Sequence, residues 1–286
     1  MTPEEKLSRI RLVVCDMDRT ILRTDKRISR RTVRAVHAAR ECGVEVTLCS
    51  ARVFSMMEYY THALDIRAPA VSCNGAAIVE PGTRRVLYEN PVPEADALEI
   101  LRFCRENGID HGALGLNHWW FCEGSVRAEG FTLYNEVAGE NRYPPMPLEL
   151  FDAEFRCIRG ESIHKIPICE RTPGDCARVA GLAASRPGLI AFAPEPGYLD
   201  VVTAGNDKGA GVTRLARLLD IPLEQVCVMG DFDNDLPMFA VAGLSVAMEN
   251  GTQRVKSAAD LCTGTNDGDG VAEFLEQNIS RKIWSR

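Results

Sequence analysis

The chain has 286 residues, 45% of them apolar and 26% charged, with a net charge of −7. That length builds one large or two ordinary domains, and the composition is that of a soluble globular protein. The acidic balance argues against general nucleic-acid binding, which wants a basic face, and no stretch is long and apolar enough to span a bilayer.

Residues 1–9 are charged and carry no secretory signal, so a cytoplasmic location is expected. Eleven cysteines is an odd count with no Cys-x-x-Cys spacing, which speaks against a zinc site. Cys15, Cys49, Cys73 and Cys227 lie in apolar runs and are expected as small buried hydrophobes, not as disulfide partners.

In chain order, residues 12–15 come first. Leu-Val-Val-Cys is a short apolar run rich in branched side chains, the pattern of a strand covered on both faces in a parallel sheet. Asp16 and Asp18 follow. Residues two apart in extended chain point the same way. The two acids therefore stand side by side at a strand's carboxyl end, where open α/β sheets take their ligands. Carboxylates held together repel unless a cation or a shared proton offsets them, and a hard ion such as Mg²⁺ suits oxygen ligands. Ser29 reads as the N-cap of a helix running to about Cys42. Ala35, Ala38, Ala39 and Cys42 form its buried stripe, and Gly43 stops it. Residues 44–49 are a second strand, ending in Ser50-Ala51-Arg52, which opens another helix. Residues 70–73 are a third, ending at Asn74-Gly75-Ala76. Strand, helix, strand, helix, strand is the order of a parallel sheet with crossover helices.

The pattern then changes. Residues 76–80 and 84–89, around Pro81-Gly82-Thr83, read as a hairpin. A helix follows with Ala97, Ile100, Leu101 and Cys104 on one face. After Gly108 the strands are short and uneven. One of them is His118-Trp119-Trp120-Phe121, where only one of the two tryptophans is expected to face inward. Residues 143–147 are a loop, 162–169 a strand and 173–185 a helix. Residues 83–187 are therefore expected as an inserted α+β domain between two halves of a core, 1–82 and 188–286. Alternation resumes after Gly188. Residues 198–203 form a strand, and the helix after Asp207 buries Val212, Leu215, Ala216 and Leu219. The strand at 225–229 ends in Gly230-Asp231-Phe232-Asp233-Asn234-Asp235. A strand at 243–248 and a helix at 270–277 close the chain.

A parallel sheet brings these strand ends to one edge. That edge then holds Asp16, Asp18, Thr20, Ser50, Lys208, Asp231, Asn234 and Asp235. Together they supply carboxylates for a metal, a hydroxyl and an ammonium for a phosphate, and a carboxylate able to attack, which are the parts phosphoryl transfer needs. Taken singly they say less. Ser50 alone suits an N-cap better, while for the acidic loop a solvated turn is the lesser alternative. Lys208 at a helix start faces the positive end of the dipole, so it needs an anion. The loop at 230–235 lacks the later glycine and distal glutamate of an EF-hand.

Asp16-Met17-Asp18-Arg19-Thr20, Ser50-Ala51-Arg52, Lys208-Gly209 and Gly230-Asp231-Phe232-Asp233-Asn234-Asp235, in that order, resemble the four motifs of haloacid dehalogenase-superfamily phosphatases. The resemblance is to the Cof-type sugar-phosphatase branch in particular. It implies a Rossmann-like α/β core with an inserted α+β cap. It implies Asp16 as the nucleophile, forming an aspartyl-phosphate, and Asp18 as the acid that protonates the leaving oxygen and then the base that activates water. Asp231 would hold Mg²⁺ with the Asp16 carboxylate and the Asp18 backbone carbonyl, supported by Asp235. Ser50 and Lys208 would bind phosphoryl oxygens, Asn234 would sit beside the phosphate or Lys208, and Thr20 would brace the loop. The implied substrate is a small phosphorylated metabolite, a sugar phosphate or a phosphorylated cofactor, with no nucleic-acid or membrane partner, in a monomer or homodimer. The cap would choose it, and His118, Trp119, Trp120, Phe121, Arg127, His164 and Lys165 are its candidates. Two other readings remain: a phosphomutase with the same nucleophile, and a non-catalytic phospholigand-binding protein. Two positions depart from the family. Asp200 stands where glutamate is usual. Arg19 stands where glycine is usual, so it either keeps ordinary backbone angles or is strained. Its guanidinium could add a phosphate contact or crowd the leaving group; a side chain pointing away into solvent is slightly favoured over both, and Arg19→Gly is expected to leave activity within about tenfold.

Overall fold

The computed structural model describes residues 3–193 and 196–280. They divide into two compact units, one drawn from 3–52, 57–88 and 206–280, the other from 53–56, 89–193 and 196–205. No helix among the described residues is long and apolar enough to cross a membrane.

The chain begins with helix α1 (Pro3–Leu7), strand β1 (Leu12–Cys15), helix α2 (Arg30–Glu41), strand β2 (Glu45–Leu48) and helix α3 (Glu58–Ala63). Strands β3 (Ala70–Ser72), β4 (Ala77–Val79) and β5 (Val86–Glu89) follow. Ser29 caps α2 as its sequence suggests, its hydroxyl accepting from the Thr32 N–H at 3.0 Å, and Ala35, Val36, Ala38 and Ala39 turn inward. The second unit runs from helix α4 (Glu94–Glu106) through strands β6 (Asp110–Gly115) and β7 (Trp119–Phe121), helix α5 (Val126–Glu140) and strands β8 (Leu148–Leu150) and β9 (Ile163–Cys169). Helix α6 (Asp175–Ala184) and strands β10 (Leu189–Phe192) and β11 (Tyr198–Thr203) complete it. The first unit then resumes with helix α7 (Lys208–Leu218), strand β12 (Val226–Gly230), helix α8 (Leu236–Val241), strand β13 (Leu244–Met248), helix α9 (Gln253–Ala258), strand β14 (Leu261–Thr263) and helix α10 (Gly270–Phe274).

The main sheet of the first unit has the order β14-β13-β12-β1-β2, with every pair parallel. Leu12, Val13, Val14 and Cys15 are all fully buried, as a central parallel strand requires. Leu12 and Val14 join Val226 and Val228 in one cluster with Val212 and Leu215 of α7 and Met238 of α8. Burying a side chain such as Leu215 stabilises the fold by about 1.5–3 kcal/mol. Register positions the site: Cys15 pairs with Leu48 on one side and Met229 on the other. Three neighbouring strands thus end level, and the residues after them emerge together.

Strand β3 does not extend this sheet as expected. It meets the sheet only through a parallel bridge between Cys49 and Val71, and it pairs antiparallel with β4. Cys73 and Asn74 both take left-handed backbone angles, with φ near 52°, so the chain reverses before a parallel ladder can grow.

The sheet of the second unit has the order β10-β11-β9-β6-β7-β8, antiparallel except between β7 and β8. The sequence places the return to the core at residue 188, and the structure places it later. Leu189 pairs with Thr203 and Val201 with Ile166, so Leu189–Phe192 and Tyr198–Thr203 belong to this second sheet. An apolar strand carries no mark of which sheet it will join. Helix α5 lies where the sequence pattern gives no helix. Ser125 caps it, accepting from the Ala128 N–H at 3.4 Å, and Phe131, Tyr134, Val137 and Ala138 are buried on it.

Both tryptophans of β7 are buried, where one was expected. They face opposite sides of the strand, and each side is covered. Trp119 lies 5.2 Å from Phe131 and 5.8 Å from Tyr134, both on α5, and its indole N–H donates to the Ser55 hydroxyl at 2.7 Å. Trp120 belongs to the cluster with Ile100 and Leu101 of α4, stacks on His118 at 5.3 Å and donates to Glu149 at 3.0 Å.

Candidate active site

Asp16 follows β1 directly and stays in the ladder, its N–H donating to the Met229 carbonyl at 2.9 Å. Its carboxylate is buried, and one oxygen accepts from Lys208 Nζ at 2.5 Å. Lys208 is the first residue of α7, which Asp207 caps by accepting from the Ala210 N–H at 2.7 Å. Its ammonium turns away from the helix end and is shared with Asp235, at 2.6 Å. Burial alone would lower the Lys208 pKa. The Asp16 and Asp235 carboxylates more than offset this and hold it above the ordinary lysine value, as an ammonium.

Asp231 and Asp235 come from the loop after β12, next to β1 in the sheet. The second oxygen of Asp235 accepts from the N–H groups of Asp231 and Phe232, at 2.9 and 3.0 Å. Gly230 makes room for that carboxylate: a Cβ there would lie 2.5 Å from it. Asp231 accepts from the Thr20 hydroxyl at 3.1 Å, so Thr20 ties the loop after β1 to the loop after β12. Asp16, Asp231 and Asp235 each offer an oxygen within 4.8 Å of the others. Burial, followed by the Asp235 charge, pushes Asp231 up to about 6. Burial also raises Asp16, and Lys208 only partly opposes it. Three clustered carboxylates thus lie against one buried ammonium, which is bonded to two of them, and a divalent cation would offset the negative charge left over. The all-oxygen donor set fits a hard ion such as Mg²⁺. Asp16 and Asp231 would hold it. Both Asp235 oxygens are already taken by protein donors, which suits support through the surrounding shell.

Asp18 stands apart from this cluster. Its carboxylate is held by Arg52 through two bonds, at 2.8 and 2.7 Å, and by Lys26 at 2.8 Å. Burial would raise its pKa. The Arg52 guanidinium, then Lys26, outweigh that and keep it well below the ordinary carboxylate range. Arg52 belongs to a motif that the sequence singles out, and its place two residues after Ser50 is the signal that could have identified it. Nothing in the sequence marks Lys26. Ser50 is buried at the end of β2, its hydroxyl accepting from the Arg52 N–H at 3.2 Å. Asn234 is exposed and donates to Asn74 at 3.4 Å.

Of the two backbone alternatives, Arg19 does not keep ordinary angles. Its φ is 61°, in the left-handed region, at a cost of about 1–2 kcal/mol for a residue with a Cβ. Nor does its side chain point away. Its Nη2 donates to the Asn250 carbonyl at 3.1 Å, and its Nε lies 3.5 Å from Asp231.

Cys15 ends β1 and Cys49 directly follows β2, both close to Asp16, and burial raises both thiol pKa values far above the usual range. In the second unit the candidates pair locally. Lys165 donates to Asp200 at 2.7 Å, Arg127 lies over the Tyr198 ring at 4.5 Å and 3.8 Å from Asp200, and His164 is buried.

A model of the haloacid dehalogenase-like hydrolases matches residues 13–275. The chain is 25% identical over 273 residues to a 5-amino-6-(5-phospho-D-ribitylamino)uracil phosphatase of Bacillus subtilis, covering 94% of this chain and 97% of that one. It is 23% identical over 272 residues to a pyridoxal phosphate phosphatase of Escherichia coli, covering 94% and 98%. Among solved structures it resembles a haloacid dehalogenase-like hydrolase from Bacteroides thetaiotaomicron, with a TM-score of 0.80 at 26% identity over 94% of this chain and 99% of the other.

Proposed function

The chain belongs to the haloacid dehalogenase-like hydrolase family, and on that premise we propose that it hydrolyses small phosphate monoesters with Mg²⁺, through an aspartyl-phosphate on Asp16. The observation that carries this reading is the Asp16 carboxylate, buried, anchored by Lys208 and within reach of Asp231 and Asp235. One of its oxygens is held by the ammonium. The other would attack phosphorus while the bond from phosphorus to the leaving oxygen breaks. Asp18 would give that oxygen its proton. Water would then attack the phosphorus of the aspartyl-phosphate, Asp18 would take the water's proton, and inorganic phosphate would leave with Asp16 restored. Bound Mg²⁺ would neutralise charge on the transferring phosphoryl group.

Lys208 and Ser50 would bind the phosphoryl oxygens, in a site where fixed donors need no rearrangement at the moment of reaction. Arg52 and Lys26 keep Asp18 ionised, which suits the base half of the cycle. Its acid half needs one of these cations drawn off, and an entering phosphate dianion beside Arg52 has the charge to do that. The names of the relatives, a ribityl phosphate phosphatase and a pyridoxal phosphate phosphatase, support a phosphorylated small molecule as substrate. The test is a panel of sugar phosphates and phosphorylated cofactors, assayed for released phosphate with Mg²⁺ or EDTA. We expect release only with the metal, and a loss of about 10³-fold or more in Asp16→Asn, roughly 4 kcal/mol of barrier. Release undiminished in that variant would end the nucleophile assignment, and an isomerised ester in place of free phosphate would make the enzyme a mutase.

A further inference from the structure

The left-handed backbone of Arg19 is a strained choice, and the contacts around it say what keeps it. Its carbonyl accepts from Asn250 Nδ2 at 2.8 Å, while its own Nη2 donates to the Asn250 carbonyl at 3.1 Å. Asn250 is fixed in turn, its side-chain oxygen accepting from the Asn266 N–H at 2.8 Å. This arrangement holds the guanidinium Nε 3.5 Å from Asp231 Oδ2. The other oxygen of Asp231 accepts from Thr20, the next residue in the same loop. One carboxylate therefore receives a neutral donor and a cation from two successive residues. Strain that persists under such over-determined contacts points from the outlier toward a task.

Charge says what the task is. The cluster of Asp16, Asp231 and Asp235 has the buried ammonium of Lys208 against it, and Arg19 is a second positive charge on the same group. The side chain of Arg19 is 56% exposed, so it can shift toward water when a stronger cation arrives. Glycine at this position would relieve the backbone and leave Asp231 without that charge.

We propose that Arg19 is a positioning residue that holds the Asp231 carboxylate while no metal is bound and competes with the divalent cation for it, so that this chain binds Mg²⁺ more weakly, and releases it more readily, than it would with glycine there. The inference rests on the metal-dependent reading above. It concerns the metal ligand, and needs no contact between Arg19 and phosphate.

Three variants of the full chain separate charge from backbone. Arg19→Gly removes both the charge and the strain. Arg19→Asn removes the charge and keeps a side chain that tolerates left-handed angles. Arg19→Lys keeps the charge. Each is treated with EDTA, exchanged into clean buffer and titrated with Mg²⁺ in a calorimeter. We expect Arg19→Gly and Arg19→Asn to bind about five- to tenfold more tightly than wild type, and Arg19→Lys to stay within about twofold. The gap should narrow as salt rises from about 0.05 to 0.5 M, because the competing charge is exposed. Tightening in the glycine variant alone would assign the effect to backbone and overturn the proposal. So would Mg²⁺ affinities that agree within twofold across the set, or weaker binding by the uncharged variants. Wild type that binds while its variants do not differ removes only the role of Arg19. No binding by wild type or any variant would remove the metal reading itself, and this inference with it.

Discussion

Both units bury charge, to opposite ends. In the second, the buried acids Asp110 and Asp200 each have a cation of their own beside them. Asp110 accepts from the Ser125 hydroxyl at 2.5 Å, the Val126 N–H at 2.8 Å and Arg171 at 3.1 Å. Asp200 accepts from Lys165. In the first, Asp16, Asp231 and Asp235 crowd together against the one ammonium of Lys208. Matched buried ions leave little charge over, whereas an excess of one sign fits the divalent cation proposed above.

The largest test of that contrast is Lys208→Met. Removing the partner of two buried carboxylates should cost the EDTA-treated protein about 3–5 kcal/mol in urea unfolding. Saturating Mg²⁺ should restore more than it adds to wild type, because the ammonium no longer competes. Binding to the native state alone adds about 2.7 kcal/mol at a hundred times Kd. Asp110→Asn should cost less, about 1–3 kcal/mol, because hydrogen bonds and an ion pair are weakened without creating an isolated buried ion. Its gain from Mg²⁺ should equal that of wild type. Equal gains in the two variants would dissolve the contrast.

The smallest effect is a difference of sign in pH dependence. Burial lowers the pKa of His111 and His164 in the second unit. The unfolded chain, with histidine near 6.5, then binds protons that the native state refuses. These two groups therefore contribute stability above about pH 6.5 that is lost as pH falls below it. Asp231 in the metal-free first unit is raised instead, to about 6. Its native form binds a proton the unfolded chain has released, so this contribution is present at low pH and is lost as pH rises through about 6. Unfolding of the EDTA-treated protein from pH 4.5 to 8 should show the two slopes opposed. His111→Asn with His164→Asn should abolish only the loss on acidification, and Mg²⁺ only the opposing loss that develops as pH rises towards about 6.

The same contrast explains how much could be read in advance. Asp16 and Asp231 each end an apolar run that is fully buried, and a parallel sheet has one edge on which such ends can gather. The first unit was therefore legible as a set of motifs. The second unit was not, because its strands are short and their pairing is long-range. Tyr198–Thr203 reads as a strand that either sheet could accept, and Leu189–Phe192 was not read as a strand at all, which displaced the expected boundary. Helix α5 buries Phe131, Tyr134, Val137 and Ala138, yet Gly139 and the exposed Leu133 blur its stripe. The backbone of Arg19 was beyond reach for a different reason. Arginine strongly prefers ordinary angles, and only contacts from Asn250, 231 residues away in the chain, hold it elsewhere.

The thiols beside the acids settle a contest of nucleophiles. Sulfur attacks electrophiles more readily than oxygen once it is an anion, and Cys15 and Cys49 border the carboxylate proposed above as the nucleophile. Denied water, neither gives up its proton at physiological pH. The pocket is left with oxygen chemistry alone, and with sulfur that is sheltered from peroxide and alkylating agents for as long as the sheet stays closed around it.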